Sequence, residues 1–425
     1  MYNILKMNKT KYIVVFFILS VVLLVAVIIF NFLSSARIKI VAPKNSSVYL
    51  LEIKNNEYQK ILKGKGNTSL TIKPGFTTFI VEENEKSTKQ SVNAEASREY
   101  VFDMTPKSLK KISVASSVTA TDLQIDGDKL NYLNPVYELI ETVSLGNSIP
   151  SDYKIFPQPI TISSIDWEGE GTAIVNFDES LGVLNNSKLQ RINFRDLELI
   201  KNKSEVIFSE INDFSANNSL NLVASIGNSL VYKKSPFEST TKILQENLQG
   251  QYVYLDVSNN GYYAYCEGQY NSDTTGELGA NPKSEISKDI KIYKLDNNSP
   301  IETIRSNSDV IGLKFNNPGN KIAYSNSQGL QVYDLNKKSN SILYTKLIAK
   351  PNLITWVDEN KLVYSDSEGL WLADIDELQS IRLSKSDEIT YLQDMHFDKV
   401  KKRFFYSVII PNPQGDKGKV YYFSI

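Results

Sequence analysis

The sequence predicts an all-β protein: a seven-bladed β-propeller and a small β-sandwich behind one N-terminal transmembrane helix. Three observations carry that reading. Residues 321–335 (KIAYSNSQGLQVYDL) and 361–375 (KLVYSDSEGLWLADI) repeat each other 40 positions apart, with seven of fifteen aligned residues identical. Each copy is an alternating strand, a polar turn ending at Gly329 or Gly369, and a second strand. A period of about 40–45 residues with several strands per unit is the signature of a propeller blade. Residues 12–33 carry no charge, and residues 37–106 alternate with a rhythm of their own.

The first segment, residues 1–11, is too short to fold and is read as a cytoplasmic tail. In Tyr12–Leu33 only Ser20 and Asn31 interrupt an apolar or aromatic run of 22 residues. About 20 such residues cross a bilayer, whereas a cleavable signal has an apolar core of only about 7–15. The run is therefore read as an uncleaved anchor in the lipid bilayer, with Ser34-Ser35-Ala36 leaving cleavage as the alternative. Lys6, Lys9 and Lys11 before the helix nearly balance Arg37, Lys39 and Lys44 after it, so charge alone decides orientation weakly.

Residues 37–106 read as strands at Arg37–Val41, Ser47–Ile53, Ser69–Ile72, Thr77–Glu82 and Tyr100–Met104, separated by polar or glycine-containing turns. About 70 residues suffice for one small core. Pro106 and the lysines at 107, 110 and 111 mark a joint to the next domain.

Residues 110–425 carry the repeat. Anchor positions in the opening strand of each unit fall at Leu123, Ile165, Ile211, Leu255, Leu313, Ile354 and Met395. Seven anchors imply seven blades, and the degraded units at 160–250 leave six or eight open. The last unit ends one strand short of four. Lys111–Val118 is strand-like and precedes the first unit, so it is expected to complete the last blade and leave no bare edge.

This repeat resembles the bacterial propellers of the TolB and WD40-like type, without the Trp-Asp and Gly-His signatures of true WD40 blades. The arrangement of Pro43, Val48-Tyr49-Leu50, Leu70–Gly75 and Thr78–Val81 resembles a PEGA domain, with Asn55-Asn56 in place of the usual glycine. These resemblances imply an extracytoplasmic protein: single-pass in the cell membrane, tail inside, large domain in the bacterial envelope.

Composition excludes more than it identifies. Basic and acidic residues number 47 and 48, and the net charge is -1, so a nucleic-acid groove, which needs a basic excess, has no support. The single histidine, His396, forbids His-cluster metal sites and leaves one candidate for a catalytic relay. It is expected in the strand slot that holds Val257, Phe315 or Val357 elsewhere, as a packed or tunnel-lining residue. The single cysteine, Cys266, forms no intramolecular disulfide. It stands where other units carry Ser325, Ser365 and Ser407, and no clustered base accompanies it. Asp126-Gly127-Asp128 and Asn271–Asp273 are read as turns rather than calcium loops, and no cofactor is expected. Asp366–Trp371 is a near miss to the Asp box of sialidase propellers and is read as a plain turn.

One positional argument points to function. The insertions Glu267–Asp289 and Ile409–Gly418 both fall between the second and third strands of their units, so both emerge at one end of the ring. Scaffolds place function on such loops. The candidate partner-binding residues are Tyr270, Asn271, Asp273, Glu277, Asn412, Gln414 and Asp416. The expected function is a non-enzymatic scaffold that binds an envelope protein or a glycan. The alternative is a glycoside- or peptide-cleaving enzyme with its site at the tunnel mouth.

Overall fold

The structure is a computed structural model. It describes residues 17, 19–23, 34–54, 57–116, 120–134, 139–145, 152–155, 161–169, 172–178, 187–193, 206–209, 211–216, 221–234, 240–246, 251–270, 283–306, 308–326, 329–344, 353–366, 368–389, 391–410 and 417–425. Two units divide the chain, residues 1–107 and 108–425.

In the first unit, strands β1 (Ala36–Val41), β2 (Ser47–Lys54), β3 (Glu57–Lys65), β4 (Thr68–Ile72), β5 (Gly75–Glu83), β6 (Lys86–Ala94) and β7 (Glu99–Asp103) follow in order. β1 pairs antiparallel with β4 and parallel with β7. A second sheet pairs β3, β2, β5 and β6. The apolar phase of β1 (Ile38, Ile40) faces Val48, Phe79, Val81 and Val92 of the other sheet, and Met104 joins the same core. Strict alternation along β1 produces this division, because successive side chains leave opposite faces of a strand. The five expected strands are present. β3 and β6 were not expected, because EYQKILKGK and KSTKQSVNA are too polar to announce themselves as strands.

Residues 12–33 lie almost wholly outside the described residues, and among the described residues no helix is long and apolar enough to cross a membrane.

The second unit opens with β8 (Lys111–Ser116). Four-stranded antiparallel sheets follow: β9 (Thr121–Asp126) to β12 (Asp152–Ile155), with β10 (Lys129–Asn134) and β11 (Leu139–Ser144) between. The next holds β13 (Thr161–Gly169), β14 (Thr172–Asp178), β15 (Ser187–Asn193) and β16 (Val206–Ser209). The third holds β17 (Ile211–Ala216), β18 (Leu222–Ile226), β19 (Ser229–Lys233) and β20 (Lys242–Gln245). The fourth is β21 (Gln251–Val257), β22 (Tyr262–Tyr270), β23 (Lys283–Lys294) and β24 (Glu302–Arg305). The fifth is β25 (Val310–Phe315), β26 (Lys321–Asn326), β27 (Gly329–Asp334) and β28 (Ser339–Tyr344). In the sixth, β29 (Ile354–Trp356), β30 (Lys361–Asp366), β31 (Gly369–Asp374) and β32 (Gln379–Lys385) pair in sequence. The last is β33 (Tyr391–Asp398), β34 (Arg403–Ile410), β35 (Lys417–Ser424) and the early strand β8.

All seven anchors fall in the first strand of their sheets. β8 supplies the missing fourth strand of the last sheet, with Lys111 opposite Phe423 and Ser116 opposite Lys419. First strands neighbour one another around the unit: β17 beside β21, then β25, β29 and β33, and β33 beside β9, which in turn meets β13. The second unit's two ends thus meet within one sheet, and the sheets follow one another radially, as in a β-propeller.

Cores lie between consecutive sheets rather than within them. Val223, Leu230 and Leu244 of the third sheet pack on Leu255, Tyr263 and Tyr265 of the fourth. Ile290, Ile292 and Ile304 meet Val310, Leu313 and Tyr324 of the fifth. At the seam, Val114 of β8 and Phe405 and Val420 of the last sheet meet Leu123, Leu130, Tyr132 and Val143 of the first. Tyr263, Tyr265 and Tyr293 stack with centroids 5.2 to 6.4 Å apart, a geometry that adds to simple area burial.

The turn Asp366–Gly369 is more than a plain reversal. The buried Asp366 carboxylate accepts the Glu368 N–H and the Trp371 indole N–H, both at 2.8 Å. Gly369 has φ +143, and a Cβ there would lie 2.1 Å from the Ser384 carbonyl oxygen. Both the dihedral and the contact require glycine. Gly369→Ala is expected to cost about 2–3 kcal/mol, read as a lowered urea midpoint with an unchanged slope.

The seam predicts a contrast between two truncations. A chain beginning at Ser108 keeps β8 and is expected to melt cooperatively as a monomer. One beginning at Ala120 leaves the β35 edge bare, and size-exclusion chromatography should find it aggregated.

Candidate functional site

The two connections singled out in the sequence join second to third strands, β22 to β23 and β34 to β35, while connection 194–205, as long as the first of them, joins third to fourth strands. In an up-and-down sheet the two second-to-third connections leave the same end. Both are shorter than the sequence reading gave: β22 runs to Tyr270 and β23 begins at Lys283, while β34 ends at Ile410 and β35 begins at Lys417. The correction has a physical cause. Backbone pairing continues beyond the usual six residues, with Gly268 opposite Ile286 and Tyr270 opposite Lys283, through two register shifts. Of the candidate binding residues, Tyr270 closes β22. Asn271, Asp273, Glu277, Asn412, Gln414 and Asp416 lie outside the described residues.

Below these loops, strand pairing reveals a column the sequence reading missed. One polar residue occupies the same step of each first strand. These are Gln124 opposite Asn131, Asp166 opposite Ile174, Ser215 opposite Val223 and Asp256 opposite Ala264. Lys314 opposite Ala323, Thr355 opposite Val363 and His396 opposite Phe405 continue it. His396 therefore shares its column with Asp256, Lys314 and Thr355, not with Val257, Phe315 and Val357 as expected. Val257 and Phe315 stand one residue past the column, on the other face of their strands, and Val357 stands two residues past it.

Described members of the column tie one sheet to the next. The Ser215 hydroxyl donates to Asp256 Oδ1 at 3.3 Å and accepts the Val257 N–H at 3.2 Å. Asp256 Oδ2 accepts the Phe315 N–H at 2.7 Å, and Oδ1 accepts Lys314 Nζ at 2.8 Å. The Thr355 hydroxyl donates to the Met395 carbonyl at 3.5 Å. In the last sheet Asp394 does this work: one carboxylate oxygen accepts the Leu123 N–H of the first sheet, the other the Met395 N–H, each at 2.7 Å. The Ser407 hydroxyl adds a bond to the Ala120 carbonyl at 2.5 Å.

His396 keeps some contact with solvent but lies deep in the protein's mass. Burial pushes its imidazole down to about 4, against the pull of Asp398 and with help from Lys399. Among the described residues, no nucleophile lies in hydrogen-bond range of it. The Asp398 carboxylate is bound instead by Arg403, at 2.7 and 3.0 Å. Cys266 is buried, and like Ser325 and Ser407 it occupies the fifth step of its sheet's second strand. In the Asp126–Asp128 turn, Asp128 is engaged by Lys401 and by Arg403, so two cations already sit where calcium would. Among the described residues no group of three His, Cys, Asp or Glu could hold a metal ion.

The opposite end is stitched together. Asn259 Nδ2 donates to the Asn317 carbonyl at 3.1 Å, and the Asn260 amide reaches the Pro318 carbonyl. Asn316 and Asn320 reach Glu359, and Lys321 reaches Asn360. Lys399 crosses to Asn317 at 2.5 Å. These first-to-second-strand turns bond to one another rather than standing free.

Comparison with known proteins supports the architecture. No family profile matches the sequence, and no curated protein matches it. Among solved structures, the β-propeller domain of Myceliophteria thermophila Cps50 (Swd1) superposes with a TM-score of 0.50 at 8% identity, covering 74% of this chain and all of its own. A chain of a mitotic checkpoint complex gives a TM-score of 0.49 at 7% identity over 74% of this chain and 95% of its own. The radial order of the sheets and the likeness to the Cps50 domain give the class by fold: this is a β-propeller protein.

Two titrations on β33 oppose each other. Burial pushes the Asp394 carboxyl up to about 6, against its two backbone N–H donors. Unfolded references are about 3.9 for Asp and 6.5 for His. The protonated Asp394 favours the folded state most below about pH 4, and that contribution is lost as pH rises to about 6. The neutral His396 contributes above about pH 6.5, and that share is lost as pH falls to about 4. Relative to the parent protein, Asp394→Asn is expected to lose thermal stability between pH 6 and 4. His396→Gln is expected to gain it over the same interval. Calorimetric scans across that range check both signs.

Proposed function

We propose that this chain is a membrane-tethered extracytoplasmic scaffold. Its seven four-stranded sheets are the seven blades of one closed ring, similar to the TolB and WD40-like bacterial propellers. The apolar run 12–33 anchors it in the cell membrane, the residue 37–106 sandwich acts as a PEGA-like spacer, and loops 271–282 and 411–416 receive an envelope protein or a glycan.

The observation that carries this reading is the placement of the elaboration. Connection 271–282 is as long as any in the unit, and both it and 411–416 join second to third strands, so the two share one end of the ring. The other end is occupied by the Asn–Glu–Lys stitching between neighbouring turns. The lengthened β22–β23 hairpin supports the reading further, since a ribbon extended beyond its neighbours holds its loop above the ring.

Replacing residues 271–282 with a short Gly-Ser turn should abolish capture of envelope material by immobilised protein while the melting temperature stays within a degree or two. Glycosidase and protease treatment of the captured fraction separates the two ligand classes. Undiminished capture would overturn the loop assignment. Separately, the intact chain should require detergent for extraction from membranes, and deletion of residues 12–33 should release it.

A further inference from the structure

The loop between β21 and β22 carries a chemical lability with a structural consequence. Asn260-Gly261 is the one Asn-Gly step in the sequence. The Ser258 N–H donates to the Tyr262 carbonyl at 2.8 Å, and the Gly261 N–H reaches back to the Ser258 carbonyl at 3.2 Å. Gly261 has φ +74. This is the three-residue hairpin loop in which a turn is followed by a left-handed glycine. Asn260 is exposed. Its carboxamide and the Gly261 nitrogen are the electrophile and nucleophile of succinimide formation. Glycine has no side chain to shield that nitrogen, and the hydrogen bond holding it is the longest of those that close the loop.

We propose that Asn260 is a self-modification site, which deamidates in the folded protein and loosens the contact between the fourth and fifth sheets. The Gly261 amide nitrogen loses its proton to base and attacks Asn260 Cγ. The new N–Cγ bond closes a five-membered imide, and the Cγ–Nδ2 bond breaks to release ammonia. Water then opens the imide at either carbonyl, giving aspartate or isoaspartate, with no oxidant or cofactor required.

The consequence follows from what the loop touches. The Asn260 amide donates to the Pro318 carbonyl. As a carboxylate, the side chain would face that carbonyl with no proton to give, and the contact turns repulsive. Isoaspartate also adds one atom to the backbone just before Gly261, whose carbonyl accepts the Leu295 N–H at 2.9 Å. The space for adjustment is small: a Cβ on Gly319 would lie 2.6 Å from Ser258 Cβ. Asn259, bonded to Asn317, is then left as the side-chain tie between these two turns.

Incubating the full-length protein in mildly alkaline buffer at body temperature, followed by peptide mapping, tests the chemistry. A synthetic peptide spanning residues 255–266 serves as the unconstrained reference. A mass gain of about one dalton is expected in the fragment holding Asn260, rising with pH, accompanied by isoaspartate and absent from Asn260→Gln. If the peptide deamidates while Asn260 of the protein does not, the proposal is overturned. The consequence is tested by Asn260→Asp, which installs one product directly. Its melting temperature should fall below that of the parent and of Asn260→Gln. An unchanged melting temperature would overturn the loosening.

Discussion

Backbone pairing between β8 and β35 is the constraint on which the second unit rests. Each sheet keeps its apolar faces dry only because another sheet stands on either side of it. Remove the closing strand and the ring has two ends, each exposing a strand edge and half of a between-sheet core. The seam is accordingly tied in several independent ways. Asp394 takes the Leu123 N–H, Ser407 holds the Ala120 carbonyl, and Arg403 reaches the Gly127 carbonyl at 3.0 Å. On the outer side Lys111 pairs with Glu388 at 2.8 Å and lies over the Tyr421 ring. Half-exposed ion pairs contribute little individually. The buried backbone bonds and the Val114–Phe405–Val420 core hold the seam.

The polar column along the first strands extends the same logic around the ring. First strands run close together at the centre of a propeller, where each must answer the hydrogen-bonding groups of its neighbour. Among the described residues Ser215, Asp256, Thr355 and Asp394 do so with short side chains of little volume. Asp256 shows the stakes. It is almost fully buried, and it is tolerated because the Phe315 N–H, Lys314 and Ser215 satisfy it at once. Removing any one of these donors leaves a buried charge short of partners, which is costlier than never having had the bond.

Much of this was legible in the sequence, for a specific reason. Blades are repeats, and a repeat states its period twice. The pair 321–335 and 361–375 fixed the phase from which seven anchors followed, and each anchor fell in a first strand. The missing fourth strand at the C-terminus directed attention to Lys111–Val118, which pairs where expected. Less regular features escaped. β3 and β6 are polar strands with no apolar rhythm to report them. The His396 column was misassigned because alternation alone does not tell which residue of each first strand stands at the same step, and only the pairing with the second strand fixes it. Trp371 gave no sign that its indole closes the Asp366 turn, since that bond depends on a rotamer rather than a spacing.

Sequence by itself determined the radial plan: period, number of anchors and the need for a borrowed strand, because these depend on chain length and alternation alone. It also determined that one histidine and one cysteine leave little room for relay or thiol chemistry. Tertiary structure decided which polar groups meet. Asp394 and Leu123 are separated by 271 positions, and no local pattern announces such a bond. It exists because closing the ring brings the last first-strand against the first one, and a buried backbone N–H there must find an acceptor.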